Sequence, residues 1–229
     1  MKIRPLIALL SLTLFCCAQT TSNSMNKIRY VALGDSYTKG EGVNAEDNFP
    51  NQLIQRLHVE HVEVKKLTLI AETGWTTTNL IKALGSSALE SKYDLVTLLV
   101  GVNNQQKHLD INIYKTEFEE ILKQALKLSG NRKERVLVLS IPDYSVTPYA
   151  QFLNPMLIQQ EIDIYNAVNK ELSEKYELTY LNVTTISRKA EEDLIYLAAD
   201  ELHPSAHMYM EWIDLIFPQI KEILKNKNI

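Results

Sequence analysis

Five short apolar runs alternate with longer segments of helical periodicity, and this alternation constrains the fold more than any other feature of the sequence. Several runs are continuously apolar, which is typical of parallel strands covered by helices on both faces. The runs cover residues 28–34, 62–72, 93–101, 135–141 and 178–183. No repeat or linker rich in Pro, Gly or Ser interrupts them. The sequence therefore predicts one α/β domain with a parallel sheet of about five strands.

The intervening segments carry helix signals. Apolar residues recur at steps of three and four from Ile158 to Tyr176, with Glu and Lys on the opposite face. The segment 114–130 ends in Gly130, which suits the residue after a helix. The last helix is predicted to begin at Pro204, because proline favours the first helical position.

The first 24 residues predict an export leader, which leaves residues 25–229 as the folded domain. Lys2 and Arg4 precede the apolar run 5–18, which is too short to span a bilayer. The sequence thus predicts a periplasmic or extracellular protein. Two forms of processing stay open: lipidation of Cys17, which would attach the protein to a membrane, and ordinary cleavage after Ala18. Both cysteines fall in the leader, so the domain itself has no disulfide or thiol nucleophile.

The charge balance argues against a nucleic-acid partner. The leader removes two basic residues and no acidic ones, so 22 of the 24 basic residues remain against 28 acidic ones. No basic cluster is left to neutralise phosphates.

Small polar groups follow four of the predicted strands. The first strand runs into Gly34-Asp35-Ser36, the second into the turn at Gly74, and the third into "GVNN", residues 101–104. After the fifth strand, Asp200 and His203 lie three residues apart. Because ligands of parallel sheets bind outside the carboxyl ends of the strands, we expect these groups to share one site.

These residue types suit nucleophilic catalysis. A serine hydroxyl needs a neighbouring base that a carboxylate orients, so we expect Ser36 to attack, His203 to take its proton and Asp200 to hold the imidazole. The developing oxyanion needs donors. The backbone N–H groups of Ser36 and Gly74 and the side-chain amide of Asn103 are the candidates.

The ordered set "GDSY", "TGW", "GVNN" and "DELHP" resembles the SGNH hydrolases, also called GDSL esterases and lipases, over essentially the whole domain. The resemblance implies a three-layer αβα, flavodoxin-like fold without metal or organic cofactor. It also implies a Ser36–His203–Asp200 triad, with Ser36, Gly74 and Asn103 as the oxyanion hole. Two residues depart from the family pattern: Tyr37 replaces the usual leucine, and Asn104 replaces an aspartate.

Some of the same residues also have plainer interpretations. Asp200 has the right type to cap a helix beginning at Pro204. His203, His207 and Asp200 have a spacing that metal sites use, but a helix beginning at Pro204 would keep the two histidines off one shared face.

The sequence indicates the type of reaction more narrowly than it indicates the substrate. The resemblance favours small-molecule acyl esters of the lysophospholipase and thioesterase kind, with acetylated glycans as the alternative. Tyr144, Tyr149 and Phe152 in segment 142–155 are expected to form a wall or lid and, with Tyr37 and Trp75, to line an acyl pocket or stack on a sugar. A binding module without turnover is the remaining class.

Overall fold

The computed structural model describes residues 26–89 and 92–225. The predicted leader, with Cys17 as its candidate lipidation site, lies outside these residues. Among the helices that are described, none combines the length and apolar character needed to cross a membrane.

A five-stranded, fully parallel sheet forms the centre of the molecule, in the order β2-β1-β3-β4-β5. The strands are β1 (Asn26–Gly34), β2 (Val62–Ala71), β3 (Leu95–Leu99), β4 (Val136–Leu139) and β5 (Thr179–Leu181). The predicted fold class is thereby confirmed. Four of the five strands are shorter than the apolar runs that predicted them. Burial extends past the strand ends at Val100 and Ile141, whereas Glu72, the last residue of the second run, is exposed.

The helices connect these strands and cover both faces of the sheet. They are α1 (Ser36–Lys39), α2 (Phe49–Val59), α3 (Thr77–Ser86), α4 (Val102–Gln106), α5 (Ile111–Leu128), α6 (Pro155–Lys175), α7 (Thr184–Ser187) and α8 (Ala206–Lys225). Short 3₁₀ turns occupy Ala45–Asp47, Lys133–Arg135, Pro148–Phe152, Arg188–Glu191 and Leu194–Tyr196.

The direction of each crossover decides the layer of its helix. Connections between parallel strands are right-handed, so the step from β1 to β2 places α2 on one face, and the steps in the other direction place α3, α5 and α6 on the opposite face. The contacts agree, since α2 packs against α8 while α5 packs against both α3 and α6. The order in which successive strands are added to the sheet reverses between β1 and β3. The carboxyl ends of these two strands form the crevice where such folds bind ligands.

Close packing at this crevice requires glycine at the end of β1. A Cβ on Gly34 would lie 2.3 Å from the carbonyl oxygen of Leu99 and 2.1 Å from Oγ1 of Thr38. Glycine therefore lets α1 begin directly against β3, next to the residues that follow both strands.

The prediction that the last helix begins at Pro204 is wrong, since α8 begins at Ala206. Pro204 instead pairs with Leu197 in an isolated antiparallel bridge. Ser205 precedes the helix and accepts the N–H of Met208 on its hydroxyl. Asp200 consequently caps no helix: its Oδ1 accepts the N–H groups of Leu202 and His203 within a turn.

Candidate active site

Ser36 is the first residue of α1, directly after β1, and its side chain is buried at the crevice. The preceding residue, Asp35, caps this helix by accepting the N–H of Tyr37 at 3.1 Å and also accepts the N–H of Gly101 at 3.3 Å. Burial raises the pKa of Asp35 to about 7, although these N–H groups favour the ionised form. The Asp35 carboxyl therefore ties the turn at Ser36 to the loop that follows β3.

The loop before α8 brings His203 and Asp200 to Ser36. Nε2 of His203 lies 3.0 Å from Oγ of Ser36, and Nδ1 lies 2.7 Å from Oδ2 of Asp200. The backbone folds back on itself here, because the N–H of Ala198 donates to the carbonyl oxygen of His203 at 2.8 Å. Three side chains separated by up to 167 positions thus form one continuous chain of hydrogen bonds.

The environment of Asp200 favours its ionised form. Partial burial works to raise its pKa, but hydrogen bonds from the backbone and ring of His203 and from the Leu202 N–H outweigh burial and lower the pKa. An ionised carboxylate at this position holds the Nδ1 proton of the imidazole, which leaves Nε2 free to accept a proton from Ser36. Tyr37 packs its ring edge-on against the imidazole, with centroids 5.5 Å apart.

Ser36, Gly74, Asn103 and His203 line one pocket of about 160 Å³. In the described part of the chain, neither the N–H of Ser36 nor that of Gly74 donates to a protein acceptor. Gly74 has a φ of +80°, and no atom lies within 4 Å of where its Cβ would be, so the backbone itself faces open space. The structure therefore brings together all five residues expected to share a site, together with unpaired N–H donors.

The two asparagines that follow Gly101 in the chain, Asn103 and Asn104, have different hydrogen-bond partners. Asn103 donates one side-chain N–H to the carbonyl oxygen of Trp75 at 3.0 Å, which fixes its amide and leaves the second N–H for another acceptor. Asn104, which replaces the family's aspartate, is fully buried and bonds Thr77 through both its amide oxygen and its amide nitrogen. Asn104 thus anchors α4 to the start of α3 and supports the position of Asn103.

Sequence reasoning missed two contributors to the site. Gly42 lies against Asp200, and its φ of +82° is one that residues with a Cβ rarely adopt. The scarcity of glycine in the chain was the signal that would have singled it out. Asp35 was noted only as part of a motif. His207, considered as a metal ligand beside His203, instead faces Glu211 and the ring of Tyr196.

A larger cleft of about 500 Å³ adjoins the Ser36 pocket and shares Gln106 and Tyr149 with it. One wall is polar, with Gln105 donating to Glu161 at 2.7 Å, and the other is apolar. The apolar wall contains Tyr144, Tyr149, Leu153, Leu157 and Ile158. Segment 142–155 therefore forms a wall beside the pocket, as expected. Two of the aromatic residues expected to line it do not: Phe152 and Trp75 line neither the Ser36 pocket nor the cleft. Trp75 instead accepts the side-chain N–H of Asn103 on its backbone carbonyl.

Comparison with solved structures finds the same fold in several proteins, two of which are named as esterases below. The structure of TesA matches with a TM-score of 0.68 at 18% identity, covering 86% of this chain and 99% of that one. Axe2, an acetylxylan esterase from Geobacillus stearothermophilus, matches with a TM-score of 0.65 at 16% identity, covering 86% and 96%. The psychrotrophic esterase EstA from Pseudoalteromonas sp. matches with a TM-score of 0.62 at 15% identity, covering 86% and 99%.

A comparison with curated protein sequences gives no significant match. The family model described as the GDSL-like Lipase/Acylhydrolase family, however, matches residues 32–210, which include every residue of the site. This chain therefore belongs to the GDSL-like lipase/acylhydrolase family, the SGNH hydrolases of the sequence analysis, and is an ester-bond hydrolase.

Proposed function

We propose that this hydrolase cleaves acyl esters through an acyl-enzyme formed on Ser36. The observation that carries the proposal is the line of hydrogen bonds from Oγ of Ser36 to Nε2 of His203 and from Nδ1 to Oδ2 of Asp200. A serine hydroxyl is a weak nucleophile at neutral pH, and it gains strength from a base whose tautomer a carboxylate fixes.

In the first half of the reaction, Oγ of Ser36 attacks the carbonyl carbon and its proton passes to Nε2 of His203. The N–H groups of Ser36 and Gly74 and the free side-chain N–H of Asn103 stabilise the oxyanion. His203 then gives the proton to the leaving alcohol as the ester C–O bond breaks. Water, activated by the same imidazole, attacks the acyl-enzyme and releases the acid together with free Ser36.

The preferred substrates in this proposal are acyl esters of the lysophospholipase and thioesterase kind, because the cleft offers an apolar wall for an acyl chain. Acetylated carbohydrate is the second candidate. The polar wall built by Gln105 and Glu161 supports it, since amides and carboxylates bind sugar hydroxyls. Axe2, which has the same fold, is named as an acetylxylan esterase.

We also propose that the protein is exported. The basic and apolar pattern of residues 1–24 supports a leader, with either a lipid on Cys17 or cleavage after Ala18. Mass spectrometry of the N-terminal peptide of the exported protein distinguishes these two forms, and an intact Met1 peptide would contradict both.

Replacing Ser36 by alanine tests the mechanism. Hydrolysis of p-nitrophenyl butyrate should fall by roughly 10⁴-fold or more, and labelling by a fluorophosphonate probe should disappear. Ser86→Ala is the matched control, because Ser86 lies on the exposed side of α3 and bonds only the Ala83 carbonyl of its own helix. Retained turnover in folded Ser36→Ala protein would reject the acyl-enzyme.

A further inference from the structure

Five apolar side chains are exposed on one short stretch beside the cleft. We call Tyr149, Phe152, Leu153, Met156 and Leu157 the rim. Phe152 is 88% exposed and Met156 70% exposed, and each of the other three is exposed to about half of its surface. Single exposed apolar residues are ordinary, but a contiguous group of large ones marks an interaction surface.

The rim also lacks charge. Residues 144–160 contain no Asp, Glu, Lys, Arg or His, although charged residues make up 23% of the whole chain. The nearest acidic neighbours in sequence are Asp143, which is buried in an ion pair with Arg188, and Glu161, which bonds Gln105 in the cleft. The rim itself therefore offers a partner no charged side chain to desolvate, while the ionisable side chains of Lys107, His108 and Glu161 line the cleft that the rim borders.

The structure fixes the base of this segment and leaves the rim facing outwards. Tyr144 is buried and donates its hydroxyl proton to the amide oxygen of Gln105 at 2.9 Å. Oδ2 of Asp143 lies 2.8 Å from Nε of Arg188. These bonds fix the chain at positions just before the rim, and the rim side chains are exposed.

The rim is continuous with the catalytic site. Tyr149, Leu153 and Leu157 each contribute to the wall of the cleft, and Tyr149 also lines the Ser36 pocket. A second copy of the protein seated on the rim would cover the mouth of the cleft. A lipid surface seated there would instead present acyl chains directly to it.

We propose that the rim docks the enzyme on an uncharged or zwitterionic lipid surface, from which an ester's acyl chain enters the cleft. The negative net charge of the chain, −4, opposes docking on anionic membranes and agrees with a surface without net charge. The inference rests on the proposed role of Ser36 and selects lipid esters over acetylated glycans as substrates.

Fluorescence locates the docking surface directly. Phe152→Trp, made in the Ser36→Ala protein to prevent hydrolysis, should show blue-shifted emission with phosphatidylcholine vesicles and quenching by vesicles with brominated acyl chains. Val59→Trp is the matched control, because Val59 is an equally apolar, 71% exposed residue on α2. This readout reports the depth of position 152 whatever group is attached at the N-terminus. Equal quenching at positions 59 and 152, or none at 152, would overturn the proposal.

Kinetics separates docking from catalysis. Phe152→Gln/Met156→Gln should keep the wild-type rate on soluble p-nitrophenyl acetate and lose at least about tenfold on micellar lysophosphatidylcholine, given the free energy of burying two large apolar side chains. Val59→Gln/Ile113→Gln, which replaces two exposed apolar residues on α2 and α5, should keep both rates. An unchanged micellar rate in the rim variant, or a dimer in solution that the rim variant dissociates, overturns the docking proposal. The acyl-enzyme is tested separately by Ser36→Ala, which should lose both rates. Failure of the docking proposal is therefore distinguishable from failure of the proposed catalytic mechanism.

Discussion

Gly42 lies against the carboxylate of Asp200: a Cβ at position 42 would be 3.0 Å from Oδ2, the oxygen that contacts His203. The same Cβ would be 2.8 Å from Cβ of Ala198, at the base of the loop that carries the histidine. Glycine at this position therefore allows the loop after α1 and the loop before α8 to meet. The position of the Asp200 carboxylate therefore depends on the lack of a Cβ at residue 42.

Gly42→Ala should lower activity as well as stability. The left-handed backbone at this position costs an alanine about 1–2 kcal/mol, and the new methyl group displaces Asp200 or Ala198. We expect kcat to fall roughly tenfold or more, since a small misplacement of a catalytic group has effects of that size. Steady-state kinetics and thermal unfolding measure the two effects.

Gly130→Ala is the control for this variant. Gly130 has a φ of +71° but lies near Lys92, away from the site. It should lose a similar amount of stability and keep its kcat. Equal kcat values in the two variants would show that the contact with Asp200 has no part in catalysis.

Asp200→Asn should reduce kcat by roughly 10³ to 10⁴ with little change in fold. The asparagine can still accept the N–H groups of Leu202 and His203 on one oxygen, but its NH₂ group then faces Nδ1 of the imidazole. The imidazole is held in the tautomer that carries its proton on Nε2 and cannot accept one from Ser36. Kinetics together with circular dichroism checks this, and a kcat near that of the wild type would remove Asp200 from the mechanism.

Asn103→Ala should lower kcat by about 10² to 10³ while leaving KM nearly unchanged, because its free N–H is proposed to bind the oxyanion and not the ground-state ester. Asn104→Ala provides a contrast. It removes two buried bonds to Thr77 and should destabilise the fold by roughly 2–4 kcal/mol. A loss confined to KM in Asn103→Ala would contradict its role in the oxyanion hole.

Asp35→Asn should change how stability depends on pH. Burial raises the folded-state pKa of Asp35 to about 7, well above the value of an unfolded aspartate. Between about pH 4 and pH 7 the folded state therefore binds the proton more tightly, and this residue's contribution to stability is full at low pH and is lost as the pH rises through 7. An asparagine at position 35 has no titrating carboxyl group, so this pH dependence is absent from the variant.

The unfolding free energy of the wild type minus that of Asp35→Asn should accordingly fall as the pH rises from 4 to 8, as urea unfolding at a series of pH values would measure. Other titrating groups are common to both proteins and cancel in the difference. A value that stays constant or rises over this range would show that burial does not raise the pKa of this carboxyl.

The sequence by itself determined the class of fold and indicated the groups to which the proposed reaction assigns roles. Continuous apolar runs are sufficient to predict parallel strands, because both faces of such strands are covered. The glycines at 34, 74 and 101 and the polar residues beside them indicated the strand ends, and parallel strands bring their ends to one edge. Ser36, Asn103 and His203 could therefore be expected at one site without knowledge of any distance.

Only the tertiary structure decided how these groups meet. The start of α8 at Ala206 depends on the bridge between Leu197 and Pro204, a contact that overrides the local preference of proline for a helix start. The contact of Gly42 with Asp200 and the burial of Asn104 against Thr77 join residues distant in sequence, so no local pattern encodes them. The exposure of Phe152 likewise depends on what packs around it, since the same apolar residue in the same sequence would suit a core equally well.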